Sequence, residues 1–278
     1  MIRFVIPAYN ERENIAELMA DLAPRAAELG ARIILVDDGS TDGTAEAIAE
    51  YRDGLHLAIV RHDVNRGLGT AINSGLRAAL GEAHDDDAIV TLEADNTSDL
   101  DDLPRMLESF HAGHDVVLAS VYADGGEILG VARWRLAASK SVSNTFRYLG
   151  GLRDIHTLSS LYRVYRAGTL RRATETYGYL LVREPGFAAN VELLLKLYNA
   201  GARVAEVPTV NDWSKRRGVS KMSLRPTLFA YGRLVAAQLV GRIQPPPLSP
   251  LDAPALTLGA PADNPRRLER PSEPALLQ

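Results

Sequence analysis

Hydrophobic residues in the first half of the chain alternate between short continuous runs and longer runs with helical spacing. The short runs are rich in Val and Ile and end in polar turns, which is typical of buried parallel strands. The predicted strands cover residues 2–6, 32–37, 55–60, 88–93 and 115–120. The helices predicted between them cover about 12–29, 43–51, 69–80 and 101–111. This alternation indicates an α/β fold with one mostly parallel, Rossmann-like sheet and helices on both faces.

The first predicted helix contains a proline. Its apolar residues Ile15, Leu18 and Leu22 recur at helical spacing, and Gly30 is expected to end it. Pro24 lies inside this pattern and lacks the N–H that a helix interior needs. We therefore expect a kink or a split at Pro24.

The pattern after residue 126 is less regular. Coarse predictions there are a helix over 134–149, a strand over 161–166, a helix over 187–200 and a strand over 202–207. We interpret residues 1–222 as one domain. Residues 223–243 are interpreted as a packed terminal helix, with a membrane-surface helix as the alternative. Nine of the 15 prolines lie in residues 245–278, so residues 244–278 are predicted to be a disordered tail.

Composition excludes several classes of protein. The net charge of −4 does not favour a nucleic-acid binder. The absence of cysteine excludes disulfides, thiolate catalysis and cysteine-ligated zinc, and it fits a cytoplasmic location. No run of ~18 or more uncharged apolar residues is present, so no transmembrane helix is expected.

Carboxylates follow two of the predicted strands. Asp37 and Asp38 end the second strand, and Glu93 and Asp95 end the fourth. Ligands of open α/β sheets bind at the carboxyl ends of the strands. Glu93 and Asp95 are expected to face the same side of an extended strand. Oxygen ligands of this kind suit Mg²⁺ or Mn²⁺ together with a diphosphate, and an acidic loop without a ligand is the alternative.

Further residues are candidates for nucleotide contact. Pro7 ends the first strand, Tyr9 offers a flat ring for a base, and Glu11 either binds ligand or caps the next helix. The adjacent Asp37 and Asp38 repel each other, so they need solvent, hydrogen bonds or a cation. Capping by Ser40, Thr41 and Asp42 does not account for those two acids.

Two basic groups are candidates for phosphate contact. The first includes Lys215, Arg216 and Lys221, and a solvated basic loop is its alternative interpretation. The second, which includes Arg135 and Ser139, begins a predicted helix, where anions are also favoured. The six histidines show no metal-ligand spacing and are interpreted as surface or loop residues.

Several motifs in order resemble the family 2 glycosyltransferases, in particular the dolichol- or polyprenyl-phosphate mannosyltransferase branch. The matching segments span about residues 2–222, and they are Ile6-Pro-Ala-Tyr-Asn-Glu11, Val36-Asp-Asp-Gly-Ser-Thr-Asp-Gly-Thr44, Asn65-Arg-Gly-Leu-Gly69 and Glu206-Val-Pro208 with Lys215 to Lys221. The resemblance implies a GT-A fold. It also implies inverting sugar transfer from a nucleotide-diphosphate sugar, of the GDP-mannose or UDP-glucose type, to a polyprenyl phosphate.

The resemblance also implies roles for individual residues. Nucleotide contact falls to Pro7, Tyr9, Glu11 and Asp38, and metal contact to Asp95. Phosphate contact, of donor or acceptor, falls to Arg135, Ser139 and Lys221. The residue pattern itself adds Asp37 to the nucleotide set, Glu93 to the metal set, and Lys215 and Arg216 to the phosphate set. Of these, Asp95, Arg135 and Lys221 are expected to be catalytic. Glu93 stands where the family usually has Asp, and Thr97 stands where it has Gln.

Two alternatives to the leading hypothesis remain. The same donor could serve a soluble small-molecule or hydroxyl acceptor, because the altered motifs lie in the metal and acceptor regions. The chain could also be a degenerate, non-catalytic nucleotide-sugar binder, a reading motivated by Glu93 and Thr97. For the leading hypothesis we expect a cytoplasmic protein with possible peripheral contact at the inner membrane face.

Overall fold

The fold is an α/β domain built around one seven-stranded sheet. The computed structural model describes residues 1–217, 224–241 and 243. The strands are β1 Ile2–Ala8, β2 Arg32–Asp37, β3 His56–Arg61, β4 Ala88–Thr91, β5 Val116–Ser120, β6 Glu127–Leu129, β7 Arg163–Arg166, β8 Val204–Pro208 and β9 Val210–Asp212. The helices are α1 Arg12–Glu28, α2 Thr44–Ala49, α3 Leu68–Leu80, α4 Leu103–His111, α5 Arg133–Leu149, α6 Ala167–Tyr177, α7 Ala189–Asn199 and α8 Leu224–Leu239, with a 3₁₀ turn at Leu100–Asp102.

The strand order explains where a ligand site can form. The large sheet has the order β3-β2-β1-β4-β7-β5-β8, and β6 pairs with β9 in a separate small sheet. Neighbouring strands are parallel except at β7, which runs antiparallel to β4 and β5. The carboxyl ends of β2, β1 and β4 therefore lie side by side at one edge. The predicted mostly parallel sheet is confirmed, whereas the direction of β7 was not predicted.

Alternation along the strands sends side chains into two separate cores. Val5 of β1 packs in the core beneath α3 and α7, and Phe4 and Ile6 pack in the core beneath α1 and α4. These residues are fully buried. The period-two alternation of a strand therefore places helices on both faces, as the sequence predicted.

The predicted split of the first helix at Pro24 is wrong, and the alternative, a kink there, stays a prediction. Helix α1 runs continuously from Arg12 to Glu28 with Pro24 inside it. Leu22 and Ala26, on either side of the proline, have no exposed surface. Packing of this apolar face offsets the missing backbone hydrogen bond, because tertiary contacts supply most of a helix's stability.

The second half contains elements that the sequence pattern did not reveal. Helix α6 and the β6–β9 pair were not predicted, and β7 begins at Arg163 rather than at residue 161. Helix α8 packs beside α5 and α7, with Ala230 and Leu234 buried. The predicted tail at 244–278 lies outside the described residues.

In the part of the chain that the structure describes, no helix is both long and apolar enough to cross a bilayer.

Candidate active site

The loops after β1 and β2 interlock at the carboxyl edge of the sheet. The backbone N–H of Asn10 donates to the Ser40 hydroxyl at 2.9 Å, and the N–H of Thr41 donates to Asn10 Oδ1 at 2.9 Å. The N–H of Glu11 donates to the Thr44 hydroxyl at 2.9 Å. Asn10 has a φ of 52°, a conformation in which asparagine is tolerated. These contacts join the two loops that carry the predicted nucleotide residues.

Both acids of the second motif are buried and satisfied by hydrogen bonds. Asp37, 1% exposed, accepts from the Ser40 N–H at 2.9 Å, and its Oδ2 lies 3.4 Å from Nε of Arg61. The Cβ of any residue at Gly39 would overlap the backbone of Val64. Gly39 also has a φ of +73°, so this turn requires glycine. The expectation that the acid pair needs hydrogen bonds or a cation is confirmed.

Asp38 anchors the loop that follows β3. Its Oδ1 lies 2.6 Å from Nδ1 of His62 and accepts from the Arg66 N–H at 2.9 Å. Its Oδ2 accepts from the Gly67 N–H at 2.8 Å. The ring of His62 also contacts the Ser74 hydroxyl at 2.9 Å. Asp38 therefore fixes the loop after β3 against the carboxyl end of β2.

Tyr9 and Glu11 lie where the sequence placed them, on the loop after β1. Pro7 does not end the first strand as predicted, since it pairs with Val36 and β1 continues to Ala8. Pro7 is buried, Tyr9 is half-buried, and Glu11 is 8% exposed. Glu11 occupies the N-cap position of α1 without a side-chain capping bond. Its Oε2 instead accepts from Nδ2 of Asn14 at 2.5 Å. The Glu11 side chain therefore makes no capping hydrogen bond to the backbone of α1, and the choice between ligand contact and a favourable charge at the helix start stays a prediction.

Glu93 and Asp95 lie on the loop after β4 rather than on the strand, which ends at Thr91. Glu93 accepts from the Leu161 N–H and from the Ser98 hydroxyl, both at 2.8 Å. Asp95 Oδ1 accepts from the Thr97 hydroxyl at 2.7 Å. Burial, and then the charge of Asp95, raise the pKa of Glu93. Two carboxylates that repel each other in this way create a local field that favours a cation.

The cation beside Asp95 is Arg216. One of its terminal nitrogens lies 3.2 Å from Asp95 Oδ2, and the two side chains are 11% and 13% exposed. The guanidinium also lies 5.8 Å from the centre of the Trp213 ring. Nε of Arg216 is buried and has no hydrogen-bond partner among the described residues. A buried donor without a partner is a suitable contact for a phosphate oxygen.

Arg216 belongs to residues 213–217, which we call the closing segment. It follows β9, whose Asp212 donates its N–H to the Thr97 carbonyl at 3.1 Å. Lys215 is exposed at the edge of a cavity of about 300 Å³ between α1 and the loop after β4, which Glu93 also lines. The closing segment therefore lies beside the loop after β4 that carries Glu93 and Asp95, which we call the acidic loop.

The remaining predicted residues are less completely described. Lys221 lies outside the described residues, as does the rest of its motif from residue 218 to 223. Arg135 lies on the first turn of α5. Ser139 lies one turn further along, beside Tyr122, whose pKa is raised by burial.

Sequence reasoning missed two residues of this site. His62 was interpreted as a surface or loop histidine; it lies on the loop after β3, but its side chain is buried, with 7% exposed. Asp37 pairs with Arg61 in the β2–β3 register, so residues 38 and 62 lie beside each other. Asn14, 1% exposed, shares a helix face with Leu18 and Leu22. A polar residue on that apolar face was the available signal.

The carboxylates at the carboxyl edge of the sheet do not by themselves form a complete metal site among the described residues. In residues 1–217, 224–241 and 243, no three His, Cys, Asp or Glu side chains are grouped as a metal-binding set. Ions such as Mg²⁺ commonly take only one or two carboxylates and complete their shell with substrate phosphates and water. Asp95, with Glu93 behind it, fits that donor set.

Comparison with known proteins identifies the family. The family model for Glycosyl transferase family 2 matches residues 4–172. The chain belongs to this family. The resemblance to the family 2 glycosyltransferases that the sequence indicated is therefore confirmed.

Two curated relatives of this glycosyltransferase cover most of it. The polyprenol monophosphomannose synthase of Mycolicibacterium smegmatis is 31% identical over 81% of this chain and 83% of that protein. The dolichol-phosphate mannosyltransferase of Pyrococcus furiosus is 29% identical over 84% of this chain and 62% of that protein. Both names agree with the branch that the motifs resembled.

A solved structure supports the fold. Glucosyl-3-phosphoglycerate synthase of Mycobacterium tuberculosis, crystallised with Mn²⁺, UDP and glucosyl-3-phosphoglycerate, has a TM-score of 0.59 and 20% identity to this glycosyltransferase. The match covers 87% of this chain and 79% of that one. The expected GT-A fold is confirmed.

Proposed function

We propose that this glycosyltransferase moves a sugar from a nucleoside-diphosphate sugar to a polyprenyl phosphate, with inversion at the anomeric carbon. The observation that carries the proposal is the pair of relatives named for polyprenol- and dolichol-phosphate mannose transfer, which match over four-fifths of the chain. The acidic loop beneath a basic closing segment supports it, because a diphosphate needs both a cation and basic side chains.

The donor nucleotide is proposed to bind along the loops after β1 and β2. Tyr9 offers its ring to the base, Pro7 shapes the strand end, and Glu11 offers a carboxylate to the nucleoside. Asp37 and Asp38 support the site without contacting the nucleotide, because their oxygens already bind backbone N–H groups of the loops after β2 and β3. These loops form the floor of the proposed site. The sequence predicted direct nucleotide contact by these two aspartates, whereas we propose that they hold the loops on which the nucleotide lies.

A divalent cation, Mg²⁺ or Mn²⁺, is proposed to be held by Asp95. Glu93 lies next to Asp95 in the proposed metal site and keeps its hydrogen bond from the Leu161 N–H. When bound, the ion offsets the negative charge that develops on the departing nucleoside diphosphate. The Mn²⁺ and UDP in the crystallised glucosyl-3-phosphoglycerate synthase support a divalent ion.

Basic residues are proposed to hold the phosphates. Arg216 contacts the donor diphosphate through its buried guanidinium, and Lys215 lies at the open edge. Arg135, Ser139 and Lys221 are assigned to phosphate contact on the motif resemblance.

The proposed reaction needs no general base. A phosphate monoester carries most of its second charge at neutral pH, since its second pKa is about 6. Its oxygen attacks the anomeric carbon from the face opposite the leaving group. The bond from that carbon to the diphosphate oxygen breaks, and its electron pair leaves with the nucleoside diphosphate.

Peripheral membrane contact is proposed at the outer faces of α5 and α8. Tyr148, Leu149 and Phe229 are 72%, 54% and 68% exposed there. Exposed apolar side chains grouped on helices are suited to a lipid surface. Phe229→Glu should reduce flotation with anionic liposomes, whereas Leu29→Glu, at the far end of α1, should leave flotation unchanged. Equal flotation of both variants and the wild type would contradict this contact.

One reaction tests the function. The protein is mixed with Mn²⁺ or Mg²⁺, GDP-mannose or UDP-glucose, and a short polyprenyl phosphate, and the products are identified by mass spectrometry. A glycosyl phosphoprenol supports the proposal. Donor hydrolysis without that product indicates a soluble acceptor. Nucleotide binding with no turnover of any donor favours the non-catalytic alternative.

A further inference from the structure

One buried side chain, that of Asn14, pairs with the backbone of the closing segment. Oδ1 of Asn14 accepts from the backbone N–H of Arg217 at 3.1 Å, and Nδ2 of Asn14 donates to the Arg217 carbonyl at 3.3 Å. The two residues are 203 positions apart in the chain. Because an amide carries a donor and an acceptor side by side, it can pair with both backbone groups of one residue. This pairing fixes the position and the direction of the segment.

The same residue contacts the two other parts of the proposed donor site. Its Nδ2 also donates to Oε2 of Glu11 at 2.5 Å. Its backbone carbonyl accepts from Nδ2 of Asn96, the residue after Asp95, at 3.0 Å. Asn14 therefore joins the loop after β1, the acidic loop after β4 and the closing segment at one point.

A purely local role does not account for these contacts. The Asn14–Glu11 pair lies within the first turn of α1 and can stabilise the start of that helix. The hydrogen bonds to Arg217 add nothing to the helix, since Arg217 lies 203 positions away along the chain. Asn14 is 1% exposed, so water does not compete for this amide.

The consequence of this contact concerns the neighbouring residue. Arg216 directly precedes Arg217, and its guanidinium reaches Asp95 at 3.2 Å. Fixing the backbone at Arg217 therefore limits where the guanidinium of Arg216 can lie. Without that restraint, a long arginine side chain would sample many rotamers before meeting a phosphate.

We propose that Asn14 is a positioning residue that delivers Arg216 to the donor diphosphate beside Asp95. The inference rests on the proposed function, since it assumes that a nucleoside diphosphate binds there. Asn14 touches neither the nucleotide nor the ion. It acts by holding the backbone that carries Arg216.

A double-mutant cycle tests this coupling. Calorimetric titration of GDP and UDP with Mn²⁺ is performed on the full chain as wild type, N14A, R216A and the double variant. N14A should weaken binding about tenfold, the loss expected from one buried set of hydrogen bonds. The double variant should bind no more weakly than R216A. Wild-type affinity in N14A, or fully additive losses, would overturn the proposal.

A second pair of variants guards against misfolding of N14A. Arg217 has 63% of its side chain exposed, so the domain tolerates changes there. R217P removes the N–H that Asn14 accepts, whereas the matched control R217A keeps the backbone contact. R217P should weaken nucleotide binding as N14A does, and R217A should not. Equal binding by R217P and R217A would contradict the role of Asn14.

Hydrogen exchange separates the inference from the proposed function. Amides of residues 212–216 should exchange faster in N14A and R217P than in R217A, while β1 stays protected. This readout needs no ligand. If the wild type binds no nucleotide, the proposed function fails, and exchange still shows whether Asn14 holds the segment. Unchanged exchange in N14A overturns the inference alone.

Discussion

Nδ1 of His62 lies 2.6 Å from Oδ1 of Asp38, and Nε2 of the same ring lies 2.9 Å from the hydroxyl of Ser74. The His62 side chain is 7% exposed and that of Asp38 is 4% exposed. Ser74 is 1% exposed, so the three side chains form a closed structural network rather than a nucleophilic site. The ring sets the orientation of the carboxylate that anchors the loop after β3.

Replacing His62 should loosen this network. His62→Ala leaves Oδ1 of Asp38 with one fewer partner and opens a void in the floor of the site. We expect a loss of about 1–3 kcal/mol in the free energy of unfolding, together with weaker nucleotide binding. Urea denaturation measures the first effect. His56→Ala, at an exposed position on β3, should change stability by less than about 0.5 kcal/mol. Equal stability of the two variants would contradict the network.

A methyl group added at Gly69 should destabilise the domain. The Cβ of alanine there would overlap the carbonyl oxygen of Glu184, which belongs to the loop packed on α3. The backbone must shift, at a cost of about 1–3 kcal/mol. Thermal unfolding gives the comparison with Gly81→Ala at the end of the same helix, where the nearest atom is 3.6 Å away. Gly81→Ala should be neutral or slightly stabilising, and a loss equal to that of Gly69→Ala would refute this explanation.

Asp87 should make stability depend on pH in the acid range. Burial opposes its ionisation, but hydrogen bonds from the N-terminal ammonium, His84 and Arg3 outweigh burial and lower its pKa to about 2. The unfolded value is 3.8, so this contribution is complete above pH ~4 and is lost as pH falls towards 2. Its size is about 2 kcal/mol.

Asp87→Asn should remove this pH dependence and lower stability at pH 7, as measured by urea denaturation of tag-free protein between pH 2 and 7. The neighbouring Asp86 has 96% of its side chain exposed, and Asp86→Asn should leave the profile unchanged. A wild-type profile that is flat between pH 4 and 2 would count against the assigned role of Asp87.

Asp95 should be essential for metal-dependent turnover. Asp95→Asn removes the carboxylate proposed to hold the ion, and we expect a loss of activity of about a hundredfold or more. Asp101→Asn changes an exposed acid a few residues further along and should retain activity. Titration of Mn²⁺ against initial rate measures both. Full activity of Asp95→Asn would remove the metal assignment.

The sequence predicted the donor side of the fold better than the rest. Strands β2 and β4 are apolar runs with acids at or just after their carboxyl ends, so both their burial and their ligand edge could be predicted. Strand β7 has only four residues, two of them arginines, and a pattern of this kind gives no clear strand period.

Arg163 illustrates the second limit of sequence reasoning. It has no exposed surface, and it donates to the carbonyls of Leu158, Ser160 and Asn190. Charged residues are almost never fully buried unless paired, so nothing in the sequence predicted this position. The pairing of Asp38 with His62 was hidden for a related reason, since it depends on which strands become neighbours.

The antiparallel strand β7 has a consequence for how the chain acquires its shape. It stands between β4 and β5, yet it is made after both. A nascent chain that has emerged as far as residue 120 holds five strands but lacks the one that joins β4 to β5. The sheet is therefore completed only by contacts between distant parts of the chain, which are slow to form. Leu161, whose N–H donates to Glu93 of the acidic loop, is synthesised at the same late stage. The sheet and the proposed metal site are therefore completed together.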